Sequence, residues 1–395
     1  MHMSFSRQNP FTTNINVGVA AFGNSPSAII PAVALIGSIG ILCAYGFFLI
    51  GKVCAYTGAT SYRSAWAYSV SESTSWIPAV SATTKTFLAC TAFSMVLGDT
   101  FSGLLGQERN PTLVAVTLVI LLPLCLLKNL KSLAPFSLMG VLGLVYTAVA
   151  MTIRYRDGTY VMPKGELAAT LAKNLQPKFG NMGYEAVLSA NSLILVCMLS
   201  TAYMAHFNAP KFYLELKNNT LARYNQVVSW SFGISIVLMS LMTAVGFLTF
   251  GQSCSGLVLN NYAKGDVLMA GSRIAVAVSL VFSYPLAFVG CRDGILDLLS
   301  IPHSKRTPDY LNVLTVALLS VLTVLACTLK DVSFLLTLAG ATLGNALSYL
   351  YPAVMYFAVV KKQHRREPFG VSTAVTMAIL GVVFGVIGAK MALDK

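Results

Sequence analysis

Long apolar runs alternate with short polar segments along the whole chain. Residues 17–27 are apolar but too short to cross a bilayer, which needs about 20 residues of helix, and residues 154–185 form the longest hydrophilic segment. The runs long enough to cross are residues 29–53, 79–105, 112–128, 132–153, 186–208, 227–250, 268–290, 310–329, 333–359 and 369–391. The pattern predicts an all-α polytopic membrane protein with about ten full transmembrane helices and a partial first helix.

Residues 186–208 are unusual for a plain span. Small hydroxyl residues, Ser200 and Thr201, follow the apolar part, and Tyr203 and His206 come next. Irregular backbone at membrane depth occurs where it is buried in protein or lines a cavity, and broken helices build midplane binding sites in transporters. We therefore expect a helix interrupted in mid-membrane. The alternative is a plain span that ends at the interface, with tyrosine and histidine as anchors.

Residues 268–290 contain a second polar group. Ser279 and Ser283 are four residues apart and share a helix face. Pro285 frees a backbone carbonyl about one turn earlier. Two hydroxyls beside a free carbonyl offer hard oxygen ligands, which predicts a sodium site or a proton-driven variant without bound metal. The alternative is two serines bonded to their own helix in a kinked span.

The run over residues 333–359 carries two glycines at the spacing that allows close helix packing, Gly340 and Gly344. We assign these glycines structural roles, together with His206 and Pro285.

Composition supports the membrane class. Hydrophobic residues make up 56% of the 395 residues and charged residues 10%, against about 25% charged in soluble domains. The net charge of +13 comes from short basic clusters between apolar runs, such as residues 361–366. This distribution predicts contact with the lipid bilayer and no nucleic acid. By the positive-inside rule, residues 361–366 are expected in the cytosol and the loop 154–185 on the other side.

Catalytic patterns are missing from the sequence. The four histidines have no carboxylate or nucleophile at a useful helical offset, and there is no HExxH, GxSxG or P-loop pattern. The eight cysteines form no CxxC pair. The sequence therefore predicts a protein that is not an enzyme and has no cofactor.

Three segments together resemble the amino acid/auxin permease family, in particular its sodium-coupled neutral amino acid transporter branch. They are residues 203–216 (YMAHFNAPKFYLEL), residues 273–292 with their arginines, serines and proline, and residues 338–353 (LAGATLGNALSYLYPA). Ala205 stands where that branch usually has cysteine.

The resemblance implies a leucine-transporter-like fold, in which two inverted five-helix repeats enclose a midplane site between broken helices one and six. It implies a secondary active transporter that moves amino acids, chiefly small neutral ones, with a sodium or proton gradient. The membrane would be the plasma membrane or a vacuolar or lysosomal one. Ser279 and Ser283 match hydroxyls that help to hold sodium. The substrate would meet residues of the sixth helix, namely Cys197, Ser200, Thr201, Ala202 and Tyr203.

The first helix departs from the family pattern. The family begins with an Asn-x-x-x-Gly-x-Gly-like break, whereas the match here begins near Gly18, so residues 17–27 look like the outer half of a truncated first helix. We expect residues 1–395 to form a single transmembrane transporter domain. A non-transporting amino acid sensor, an inactive truncated family member, and a channel or structural membrane protein stay open as alternatives. A soluble signalling tail would favour the sensor, and a continuous polar stripe over several helices would favour the channel.

Overall fold

The computed structural model describes residues 19–20, 23–127, 134–183, 192–255, 257–329 and 339–393. Residues 17, 18, 21 and 22 of the predicted partial first helix lie outside the described residues. So do the first residues of three predicted spans, 132–153, 186–208 and 333–359. Pro26–Ala28 form a short 3₁₀ turn that leads into the next helix.

Every regular element among these described residues is a helix, apart from one isolated bridge between Lys178 and Gly251. We number the helices in chain order: α1 Ile29–Thr57, α2 Tyr62–Ser69, α3 Trp76–Leu105, α4 Arg109–Cys125, α5 Ala134–Arg156, α6 Ser192–Ala202, α7 Ala209–Glu215, α8 Leu221–Phe250, α9 Val267–Leu298, α10 Pro308–Thr328, α11 Gly340–Lys362 and α12 Pro368–Leu393.

Eight of these segments are long and apolar enough to cross a membrane, with α6 and α7 counted as one segment, Ser192–Glu215. The helices α4 and α5 occupy the remaining two predicted spans; α4 is a shorter apolar helix with a π-helical turn at Thr117–Leu121. One feature not predicted is α2, an eight-residue helix in the polar segment after α1.

Local sequence explains where several helices begin and end. Ser61 and Ser64 form a capping box at the start of α2. The side chains of Thr220 and Asp266 accept hydrogen bonds from backbone N–H groups at the starts of α8 and α9. Helix α1 ends at Gly58, whose φ of 69° is in the left-handed region that favours glycine.

The broken segment of α6 and α7 lies at the centre of the bundle. In its most apolar 18-residue stretch 78% of the residues are buried, whereas the share in α12 is 17%. Helix α9 packs along α3 and α5, and α1 packs along α8 and α11. Helix α6 contacts α1, α11 and α12. The interruption between α6 and α7 is therefore surrounded by protein, as irregular backbone in a membrane requires.

Candidate functional site

The break between α6 and α7 is the centre of the candidate site. Helix α6 ends at Ala202, and a short 3₁₀ turn, His206–Asn208, leads into α7. Ala205 has φ −139° and ψ 14°, outside the helical region. The helix is thus interrupted where the sequence predicted a break, and Tyr203 and His206 are fully buried, which is not typical of interfacial anchors. Tyr203 N–H still donates to the carbonyl of Leu199 and Met204 N–H to the carbonyl of Thr201, so regular helical bonding ends at Met204. Backbone polar groups at such a helix end can bind a neighbouring ligand.

Two side chains at the break bond to the backbone of α1 and to α11. The Tyr203 hydroxyl donates to the carbonyl of Ile36 at 3.2 Å. His206 is fully buried, with Nε2 2.9 Å from the carbonyl of Cys43 and Nδ1 3.1 Å from the hydroxyl of Ser348. Because a carbonyl only accepts, Nε2 donates and Nδ1 accepts from the serine. The arrangement supports the structural role predicted for His206.

The side chains predicted to meet substrate are buried, and several face neighbouring helices. The Ser200 hydroxyl lies 2.9 Å from the Tyr349 hydroxyl of α11. The Cys197 thiol points to the Phe384 carbonyl of α12 at 3.9 Å. Thr201 and Ala202 are buried at the end of α6. Their contact with substrate, like that of Tyr203, stays a prediction.

The two predicted packing glycines of α11 differ in how closely α6 approaches them. A side-chain carbon built at Gly340 would overlap the carbonyl of Cys197 and lie 2.5 Å from Thr201 Oγ1. At Gly344 the nearest atom would be 3.4 Å away, an ordinary contact. Both lie in a π-helical turn, Gly340–Gly344, a geometry that is frequent at functional sites. Close packing therefore requires a glycine at Gly340 but not at Gly344.

A cavity lies against the break, between α3 and α9. The positions that the centre of a water molecule can take in it fill only about 30 Å³. The cavity therefore holds a group the size of one or two water molecules. Its lining residues are Lys85, Thr86, Ala89, Phe93, Met204, Ala205, Phe207, Asn208 and Ala287.

The polar members of this cavity were not among the residues predicted for the site. Lys85 is 4% exposed and lies nine residues into α3, about 14 Å along the helix axis. Asn208 Nδ2 is buried and has no hydrogen-bond partner within the described ranges. A cationic side chain inside a span is a functional signal by itself. The sequence places Lys85 in an apolar run, but it does not show that α3 faces the break.

The predicted sodium ligands lie on the same face of α9 as the cavity residue Ala287. Ser279 and Ser283 are both buried, and Pro285 follows inside the helix. The Ser279 hydroxyl has no hydrogen-bond partner in the part of the chain that the structure describes. A buried hydroxyl without a partner costs folding free energy, so the Ser279 hydroxyl fits the role of an oxygen ligand for a cation. The sodium role of both serines stays a prediction.

A larger cavity lies at the ends of α5 and α8, beside the loop after α5. About 200 Å³ of it is open to the centre of a water molecule, and Arg154, Tyr160 and Phe179 are in its lining. Burial raises the pKa of Asp266 nearby, but hydrogen bonds from Arg154 and Tyr160 outweigh burial and hold that pKa below its ordinary value. The cavity is away from the break, and its arginine is already paired with Asp266 at 2.8 Å.

Comparison with known proteins identifies the class to which this fold and site belong. Residues 25–393 match the family described as transmembrane amino acid transporter protein, and the chain belongs to that family. The Saccharomyces cerevisiae vacuolar amino acid transporter 7 is 28% identical over 55% of this chain and 43% of its own length. The human putative sodium-coupled neutral amino acid transporter 11 is 23% identical over 78% of this chain and 74% of its own length. The chain spans less than two thirds of the length of several relatives that it matches.

The fold is also shared with solved structures. An inward-facing structure of Mhp1 superposes with a TM-score of 0.59 at 14% identity, over 98% of this chain and 88% of that one. A sodium-coupled sialic acid symporter superposes with a TM-score of 0.56 at 12% identity, over 100% of this chain and 87% of that one. These findings confirm the family resemblance and the leucine-transporter-like, all-helical fold. The chain is a multi-pass membrane protein of a transporter family, not of an enzyme family.

Proposed function

We propose that the chain is a secondary active transporter that moves amino acids, chiefly small neutral ones, across a membrane. The observation that carries the proposal is the interrupted helix between α6 and α7, buried at the centre of a transporter fold with a cavity beside it. A broken helix at the midplane supplies backbone donors and acceptors for both ends of an amino acid. Relatives named as amino acid transporters support the substrate class.

We propose that a sodium or proton gradient drives the transport. Relatives named as sodium-coupled support sodium. So does the Ser279 hydroxyl, which has no hydrogen-bond partner among the described residues and lies one turn from Ser283 on the same helix face. Other relatives, including the Saccharomyces cerevisiae protein, are named as vacuolar transporters, which supports a vacuolar or lysosomal membrane as much as the plasma membrane. Residues 1–395 would act as one transporter domain, with the loop 154–185 outside the cytosol.

Transport by the purified chain in liposomes tests the proposal. We expect saturable uptake of labelled alanine under an inward sodium gradient or an inward proton gradient. An ionophore that collapses the driving gradient should stop the uptake, and protein-free liposomes should show none. Binding of alanine without uptake would instead indicate a sensor, and neither binding nor uptake of any neutral amino acid would contradict the proposed substrate class.

A further inference from the structure

The side chains that line the cavity at the break offer donors and no carboxylate. Lys85 carries three N–H donors and Asn208 carries two on its amide nitrogen. The hydroxyl of Thr86, also in the lining, lies 2.8 Å from the carbonyl of Thr83 in its own helix. The other six lining residues are apolar, and none of the nine is acidic. The charge contributed by the lining of this cavity is therefore positive.

We propose that this cavity binds the carboxylate group of the transported amino acid, with the Lys85 ammonium and the Asn208 amide as its donors. The assignment rests on the proposed function and adds to it a side-chain cation that recognises one end of the substrate. Asn208 Nδ2 is buried without a partner within the described ranges, and a carboxylate oxygen would satisfy it.

The size of the cavity fits the carboxylate end of an amino acid. The volume of about 30 Å³ that the centre of a water molecule can occupy corresponds to one or two water molecules. A carboxylate group fits this cavity, but a whole amino acid does not. The substrate amine and side chain would then lie outside it, where the break between α6 and α7 offers backbone carbonyls that suit an ammonium.

The surroundings favour a paired charge. Phe93 is 2% exposed and Met204 is 7% exposed, so this part of the lining is buried in protein. An ammonium and a carboxylate attract each other more strongly where water is excluded, and pairing offsets much of the cost of burying either one. A small inorganic anion such as chloride would use the same donors, and the experiment has to separate the two.

The test uses the purified full chain in lipid nanodiscs and measures ligand affinity from shifts in melting temperature. The probes are alanine, alaninamide, propionate and chloride, in a sulfate background. For the wild type we expect alanine and propionate to bind, and alaninamide to bind about tenfold to a hundredfold more weakly than alanine, since a hydrogen bond to a charged group is lost. Lys85→Met should lower alanine affinity to the level of alaninamide, and Lys85→Arg should restore part of the difference.

The matched control is Lys173→Met, which removes an exposed loop lysine and should bind like the wild type. If Lys85→Met does not fold, Asn208→Leu removes the second donor and should weaken alanine more than alaninamide. The assignment is overturned if the folded variants keep the wild-type preference for alanine over alaninamide, or if chloride alone binds in a Lys85-dependent manner. If the wild type takes up amino acids but shows no such preference, this inference fails while the proposed function stands. If the wild type binds no amino acid, both fail.

Discussion

The loop before α12 contains a carboxylate that joins three helices, and its removal gives a sharp test of the structure. Glu367 lies 2.6 Å from the Lys52 ammonium of α1 and accepts a hydrogen bond of 2.7 Å from Tyr56 of the same helix. It also accepts one from Tyr356 of α11. Only 24% of its side chain is exposed. The perturbation is Glu367→Gln, which keeps the size but removes the charge and replaces one acceptor by a donor.

The magnitude follows from the pKa of Glu367. Burial raises that pKa, but the hydrogen bonds from Lys52, Tyr356 and Tyr56, together with the charge of Lys52, lower it to about 2 from the ordinary 4.5. At about 1.4 kcal/mol per pKa unit this corresponds to roughly 3 kcal/mol, and screening by solvent at a partly exposed site reduces it to roughly 1–2 kcal/mol. Because the pKa is lower in the folded state, this stability is present above pH 4.5 and is lost as the pH falls towards about 2.

The assay is thermal unfolding of the purified protein between pH 7 and pH 3. We expect Glu367→Gln to melt below the wild type at pH 7 and the difference to shrink as the medium becomes more acidic. The control is Glu215→Gln, which removes a surface partner 3.9 Å from Lys211, with both side chains more than half exposed; it should change little. Equal effects of the two substitutions at pH 7, or a difference that stays constant through the acid range, would refute the reasoning.

Three further predictions test the packing, the break and the ion site. Gly340→Ala should cost about 1–3 kcal/mol by overpacking, whereas Gly344→Ala should be near neutral, and equal melting temperatures would contradict the close approach at Gly340. His206→Leu removes the bond to the Cys43 carbonyl and the acceptor of the buried Ser348 hydroxyl, so about 1–3 kcal/mol of stability should be lost; an unchanged melting temperature would count against that network. Ser279→Ala should raise stability in sodium-free medium, because the hydroxyl is buried without a partner among the described residues. Ser279→Ala and Ser283→Ala should each weaken stabilisation by sodium. A full sodium response in both variants would remove the ion site from α9.

Most of the fold could be predicted from the sequence because membrane-spanning helices must be long and apolar. The interruption near Tyr203 could be predicted as well, since small hydroxyl residues, an aromatic and a histidine replace the apolar run there. The structural role predicted for His206 stays a prediction, which its full burial at that interruption supports.

The lining of the site could not be predicted because helices in a membrane are apolar on most faces. Hydropathy therefore does not tell which face of α6 meets which neighbour. The side chains of Cys197 and Ser200 turn out to face α12 and α11, while the cavity is lined by Lys85 and Asn208. The sequence does show that Lys85 lies well inside α3, nine residues after its start, and a lysine at that depth indicates a functional residue. It does not show that Lys85 faces the break, because that depends on how α3 packs against the other helices.

The short helix α2 limits how this molecule can change shape. The Tyr62 hydroxyl donates to the carbonyl of Leu347 in α11 at 2.9 Å, and Trp66 meets the ring of Tyr351 edge-on. Tyr351 in turn lies 2.9 Å from the hydroxyl of Ser81 in α3. Separating α11 from both α2 and α3 at this end would break these contacts, each worth about 0.5–1.5 kcal/mol. A ligand would have to bind the separated form about a hundredfold more tightly to supply a comparable energy, so these three contacts hold this end of α11 against α2 and α3 when no such ligand is bound.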